Sequence, residues 1–356
     1  MILIMKKEKS CSIKTSIGGQ ALMEGIMMRG PKRSAMAVRN PQGEIVVEEW
    51  DTKGSERAKF FKLPIIRGVF NFADSMISGY KCLMRSAEIS GLEELEEEER
   101  RAKEAKKAAK AAKKAAKKGT DLPAEPDEKT DDTEDESKEK KKESSALTTV
   151  VMVISVILAL ALVIGLFLWL PSFLYTQLGK LIPDIADNRY LKSVFEGVLR
   201  VILLVSYMAL VSLMKDIRRT FMYHGAEHKT IFCYEQGLEL TVENVRKQKR
   251  FHPRCGTSFL IIMVLVGIVI GFFIPPALPT AVRTLVKIAL IPVIMGVGYE
   301  LIKLAGKYDN WLVRIISAPG MWLQRITTVE PDDDMIECAI IAIEKVIPDD
   351  GSDKIG

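Results

Sequence analysis

The residues in this chain best suited to chemistry are His224, Glu227 and His228, in Tyr223-His224-Gly225-Ala226-Glu227-His228-Lys229. Two imidazoles at positions i and i+4 of a helix share one face and can reach one ion. The order His224-x-x-Glu227-His228 has the HxxEH spacing, in which the histidines hold a metal and the glutamate is general base to a bound water. Such a site needs at least a third ligand. The chain has only three histidines. The third, His252, lies in His252-Pro253-Arg254-Cys255, so His252 and Cys255 are candidates, and Glu300 is a further one. These residues point to a divalent metal, with zinc the first choice, and to Glu227 as the catalytic base. The plainer alternative makes His224 and His228 interfacial helix residues and His252 a turn residue before Pro253.

These positions gain meaning from the apolar segments around them. Hydrophobic residues make up 48% and charged residues 27% of the 356 residues, with net charge +5. That mix suits a chain whose apolar and charged residues are segregated. Ala146–Leu170, Val194–Met214, Phe259–Ile274 and Leu285–Leu304 read as four transmembrane helices, since about 20 apolar residues cross a bilayer. Lys215–Arg254 is rich in Lys and Arg, whereas Pro171–Ser193 holds Lys180, Arg189 and Lys192 beside Asp184 and Asp187. The positive-inside rule places Lys215–Arg254, and with it both termini, in the cytoplasm of a multi-pass plasma-membrane protein. His224 and His228 then follow the second span, His252 and Cys255 precede the third, and Glu300 ends the fourth. Topology alone brings all five to one membrane level. Glu196 and Arg200, one helical turn apart, are expected to pair near the outer face and snorkel to the interface.

Outside the spans, Ala35–Arg39 and Glu44–Trp50 flank the turn residues Asn40-Pro41-Gln42-Gly43 and predict a β-hairpin. Residues 64–90 carry apolar and polar stripes at a helical period, which predicts an amphipathic helix. The fold class is therefore an α-helical membrane protein with four transmembrane helices plus a cytoplasmic α+β part. Residues 1–91 form a cytoplasmic β-rich unit with the amphipathic helix. Residues 92–145 are a charged linker, first helical and then disordered in character. Residues 146–310 are the membrane domain, with a cytoplasmic loop at 215–257. Residues 311–356 are a cytoplasmic tail, in which Pro331 and the acids after it start an amphipathic helix that packs on the N-terminal unit.

The composition also excludes some functions. Five scattered cysteines argue against a disulfide framework. The glycines of residues 18–30 match neither GxGxxG nor a P-loop, so no nucleotide site is expected. The lysine run of the linker reads as a solvated tether, so nucleic acid is not an expected partner.

Gly18-Gly19-Gln20-Ala21-Leu22-Met23-Glu24-Gly25-Ile26-Met27-Met28-Arg29-Gly30 resembles the opening signature of the YqhQ family of bacterial membrane proteins. His224–Lys229, His252–Ser258 and Gln324-Arg325-Ile326-Thr327-Thr328 with Glu330-Pro331-Asp332 resemble its other signatures. The resemblance covers nearly the whole chain except the linker. It implies an uncharacterised membrane protein, described in places as a predicted metal-dependent enzyme. The first expectation is a membrane-bound metal-dependent enzyme, a hydrolase acting at the cytoplasmic membrane surface. The alternative is a non-enzymatic membrane scaffold or assembly factor. The lipid bilayer is the expected partner, together with a homo-oligomer or a second membrane protein.

Overall fold

A computed structural model of the chain describes residues 13–52, 63–91, 150–151, 153–307 and 311–355. The charged linker 92–145 and most of residues 1–15 lie outside these. Four strands come first: β1 (Gly18–Leu22), β2 (Gly25–Arg29), β3 (Arg33–Arg39) and β4 (Ile45–Asp51). They pair antiparallel in chain order, a simple meander. The expected hairpin is β3–β4, with Val38 opposite Val46 and Gly43 at φ 87° in its turn. The glycine-rich opening segment is a second hairpin, β1–β2. Period-two alternation explains why β2 and β3 are buried on both sides. Ile26, Met28, Ala35 and Ala37 face one core, while Met27, Met36 and Val38 face another.

Helices cover both faces of this sheet. The amphipathic helix α1 (Ile66–Ile89) closes one face through Cys82, Leu83 and Ile89. On the other face lie α4 (Lys215–Glu235) and α9 (Asp333–Glu344), joined by Val245 of the short α5 (Val242–Arg246). As expected, α9 starts after Pro331 with Asp333 and Asp334 in its first turn, and it buries Ile336, Ala339, Ile340 and Ile343 against the N-terminal strands.

Among the described residues, three helices are long and apolar enough to cross a membrane: α2 (Val153–Leu181), α3 (Arg189–Val211) and most of α7 (Thr280–Lys307). The expected span at Phe259–Ile274 is instead α6 (Gly256–Gly271), a 16-residue apolar helix. It starts at Cys255 and stops before Pro275-Pro276. At 1.5 Å per residue it is ~24 Å long, short of the ~30 Å hydrocarbon core. Helix α8 (Trp311–Thr327) packs against α6 so closely that a Cβ on Gly320 would lie 2.7 Å from Ser258 Cα.

The histidine segment does not simply prolong α3. The chain turns at Ser212–Met214 and starts α4 afresh. Gly237, at φ 66°, follows its end. Against α4 lies the extended segment after α8, where the Val329 N–H donates to the Phe221 carbonyl at 2.9 Å. Gly225 makes this approach possible, because a Cβ there would run into the Val329 carbonyl oxygen. A Cβ on Gly256 would touch nothing within 4 Å. Gly225→Ala is therefore expected to lower stability by about 1–3 kcal/mol, and Gly256→Ala to leave it unchanged. Thermal unfolding of the purified variants in detergent checks both.

Candidate metal centre

Helix α4 presents His224 and His228 on one side, with ring centroids 4.4 Å apart. The thiol of Cys255, at the start of α6, completes a group whose ligand atoms all lie within 4.8 Å of one another. His224 Nε2 is 3.2 Å from Cys255 Sγ. Each imidazole is fixed by its other nitrogen. His224 Nδ1–H donates to the Thr327 carbonyl at 2.8 Å, and His228 Nδ1–H donates to the Arg250 carbonyl at 2.5 Å. A carbonyl only accepts, so each Nδ1 carries a proton, and each Nε2 is the ring nitrogen left to serve as a ligand once any proton shared with Cys255 is lost. Metal-binding histidines are oriented in this way, with the non-ligating N–H held by a backbone carbonyl or carboxylate.

The electrostatics favour a thiolate. Burial raises a thiol, but His224 and His228 overcome it and hold Cys255 well below the ordinary value. The Thr257 N–H also points at Sγ, at 3.4 Å, and the first turn of α6 favours negative charge there. His224 responds in the opposite sense. Burial opposes its charged form, yet the neighbouring Cys255 raises it to about 9.

Glu227 is the third element. It is 5% exposed, and its Oε2 has no hydrogen-bond partner. Burial pushes its carboxyl above the ordinary range, against the pull of His224 and His228. The Gly19 N–H of β1 hydrogen-bonds this carboxylate. Gly19 is held to glycine by that approach, since a Cβ would sit 2.7 Å from the Met27 carbonyl oxygen and 3.0 Å from Glu227 Cγ. His224, Glu227, His228, His252 and Cys255 line one cavity of about 300 Å³ with residues of the Thr15–Gly19 segment. The donor set of two imidazoles and a thiolate, beside an unpaired carboxylate oxygen, could hold a metal ion.

The other two sequence candidates are placed differently. His252 lines the cavity, but its Nδ1 accepts from the Arg254 N–H at 3.3 Å and its Nε2 lies 3.6 Å from Glu235. Burial holds it neutral, below its ordinary value. It stands behind His228, with ring centroids 5.7 Å apart, and outside the three-residue group. Glu300 is not brought to the cavity at all. It forms a two-point pair with Arg67 of α1, at 2.7 and 2.5 Å, and so ties α1 to α7. A carboxylate inside α7 is neutralised there by one arginine of the amphipathic helix.

Several residues that hold the centre carry no chemical signal of their own, although Gln324, Glu330 and Arg254 lie in the segments that resemble the family's signatures. Gln324 is fully buried and braces the segment before α6. Its Oε1 accepts from the His252 N–H, and its Nε2 donates to the His252 carbonyl and to Ser258 Oγ, at 2.8, 2.8 and 3.0 Å. Glu330 pairs with Lys229 and Arg250 on either side of His228. Glu235 holds Arg254, which also donates to the Thr15 carbonyl. Gln324→Leu removes three bonds to buried groups. It is expected to cost about 2–4 kcal/mol, since each orphaned buried group costs about 1–3 kcal/mol. Chemical denaturation of this variant against wild type checks the loss.

The signatures quoted from the sequence thus meet at one place: the first hairpin supplies Gly19, α4 supplies His224, Glu227 and His228, the loop before α6 supplies Cys255, and the end of α8 supplies the carbonyl of Thr327. A family model described as "Protein of unknown function (DUF1385)" matches residues 63–349. The chain is 30% identical over 349 residues to "Uncharacterized protein YqhQ" of Bacillus subtilis (strain 168), which covers 96% of this chain and 95% of that protein. No solved structure matches. The chain belongs to the YqhQ family.

Proposed function

We propose that this protein is a membrane-bound, metal-dependent hydrolase working at the cytoplasmic membrane surface. The observation that carries the reading is the unpaired, buried Oε2 of Glu227 beside three preoriented ligand atoms. His224, His228 and Cys255 would hold the ion. When bound, a divalent ion there supplies Lewis acidity and a water of lowered pKa.

The protein's own residues account for the rest. The Gly19 N–H holds the Glu227 carboxylate in place, which leaves Oε2 as the atom that takes a proton. The upward shift caused by burial brings that carboxyl closer to neutral pH, as a general base requires. His252, neutral and tied to Glu235, fills the wall behind His228 and fixes the cavity's shape. The cavity admits only a small polar group. A second groove of about 570 Å³ shares Ser16, Gly18 and Gly19 with it and runs between the sheet and α1. The remainder of a substrate would lie there.

A second reading, a non-enzymatic scaffold for a membrane-protein partner or a second copy, draws on α1. That helix leaves Met76, Ile77, Tyr80 and Met84 exposed. Elemental analysis separates the two readings. The first expects about one zinc or iron per chain, lost in His224→Ala, His228→Ala and Cys255→Ser but retained in Glu227→Gln. A folded wild-type protein that carries no metal after growth in metal-supplemented medium would contradict it.

A further inference from the structure

At the opposite end of α6 from the histidines lies a second buried polar cluster, far from any residue used above. Its centre is Glu196 of α3, 1% exposed. The expected pairing with Arg200 is present only as a loose contact of 3.6 Å, and Glu196 does not snorkel. Its carboxylate is saturated by others. Oε1 accepts from Ser172 Oγ at 2.8 Å and Arg283 Nε at 3.2 Å, and Oε2 accepts from Lys287 Nζ at 2.6 Å. Tertiary packing of α2, α3 and α7 buries what sequence periodicity would send to the interface.

The charges do not balance. Lys192, Arg283 and Lys287 are buried and Arg200 nearly so, while Glu196 is the one carboxylate paired with them among the described residues. Backbone carbonyls take part of the load. Arg283 donates to Ile274 and Pro275, Lys192 to Pro276, and Arg200 Nε to Phe167. Phe167 lies in the π-helical turn Gly165–Trp169 of α2, a break in regular hydrogen bonding that often marks a functional site. Three buried donors still lack a hydrogen bond: Arg200 Nη2, Arg283 Nη2 and Ser193 Oγ. An uncompensated cation inside an apolar helix bundle is costly and marks a functional position.

Beside the guanidinium of Arg200 the packing leaves room for a methyl group. A Cβ on Gly267 of α6 would meet nothing nearer than Ile294 at 3.9 Å and Arg200 Nη1 at 4.0 Å. From these observations we propose that the cluster of Lys192, Ser193, Arg200, Arg283 and Lys287 is a binding site for a phosphate-bearing anion. Guanidinium groups present parallel N–H donors that match phosphate oxygens. Arg200 is the most exposed of the set, so the ligand approaches along α3. The ligand is either the headgroup of an anionic phospholipid or a free phosphate species, and the chemistry of recognition is common to both.

Thermal unfolding of the purified full-length protein in nonionic detergent tests this. The probes are inorganic phosphate, mixed micelles with phosphatidylglycerol, and mixed micelles with phosphate-free diacylglycerol. Wild type is expected to gain about 5 °C with at least one phosphate-bearing probe at saturation and nothing with diacylglycerol. A response to inorganic phosphate assigns a free anion, and a response confined to phosphatidylglycerol assigns a lipid headgroup. Arg200→Gln is expected to abolish the gain, and Glu196→Gln to keep or enlarge it. Should Arg200→Gln fail to fold, Gly267→Leu, which crowds the Arg200 guanidinium without removing a charge, is expected to abolish it instead. No gain in wild type with either phosphate-bearing probe, or a full gain retained in Arg200→Gln or in a folded Gly267→Leu, overturns the proposal.

Discussion

Two imidazole N–H groups anchored on backbone carbonyls hold this protein's chemistry in place. His224 is tied to Thr327 and His228 to Arg250. Neither anchor is local, for Thr327 ends α8 and Arg250 precedes α6. The Nε2 atoms and the Cys255 thiol converge only if three segments far apart in the chain keep their positions. That requirement explains otherwise unconnected features: the glycine at 225 that lets the Val329 strand lie on α4, the buried Gln324 that clamps the His252 backbone, and the Lys229–Glu330 pair beside them. Each of these fixes the distance between an anchor and α4.

The sheet plays a comparable part from the other side. Its β1 edge brings Gly19 against Glu227, and its two apolar faces are filled by α1 on one side and by α4 and α9 on the other. Glu227 is therefore buried between the sheet and α4, close to the start of the apolar helix α6. The second polar cluster sits where α6 ends. One apolar helix thus separates a centre rich in ligand atoms from a cluster rich in uncompensated positive charge.

Much of this was legible in the sequence, and for identifiable reasons. Histidines four residues apart, a cysteine before an apolar run, and stripes of helical period are local patterns. They located the α4 and α6 parts of the centre, the β3–β4 hairpin, α1 and α9. What stayed hidden depends on contacts between distant segments. Nothing local distinguishes Gln324 from a surface glutamine, or assigns Glu300 to Arg67 rather than to a ligand shell. Gly18 and Gly19 read as turn residues, yet they lie in a strand because the neighbouring backbone and Glu227 leave no room for a side chain at Gly19. The apolar run at Phe259–Ile274 has the composition of a span, but its helix is cut short between Cys255 and the paired prolines. Glu196 was placed at an interface because periodicity on one helix cannot show that two basic side chains arrive from another.

The account's central claim is that His224, His228 and Cys255 bind one ion together. X-ray absorption at the metal edge of the purified protein tests it most directly. The account predicts a first shell with two imidazole nitrogens at about 2.0–2.1 Å and one sulfur at about 2.3 Å, the sulfur being lost in Cys255→Ser. A shell of light atoms alone in the wild-type protein would contradict it.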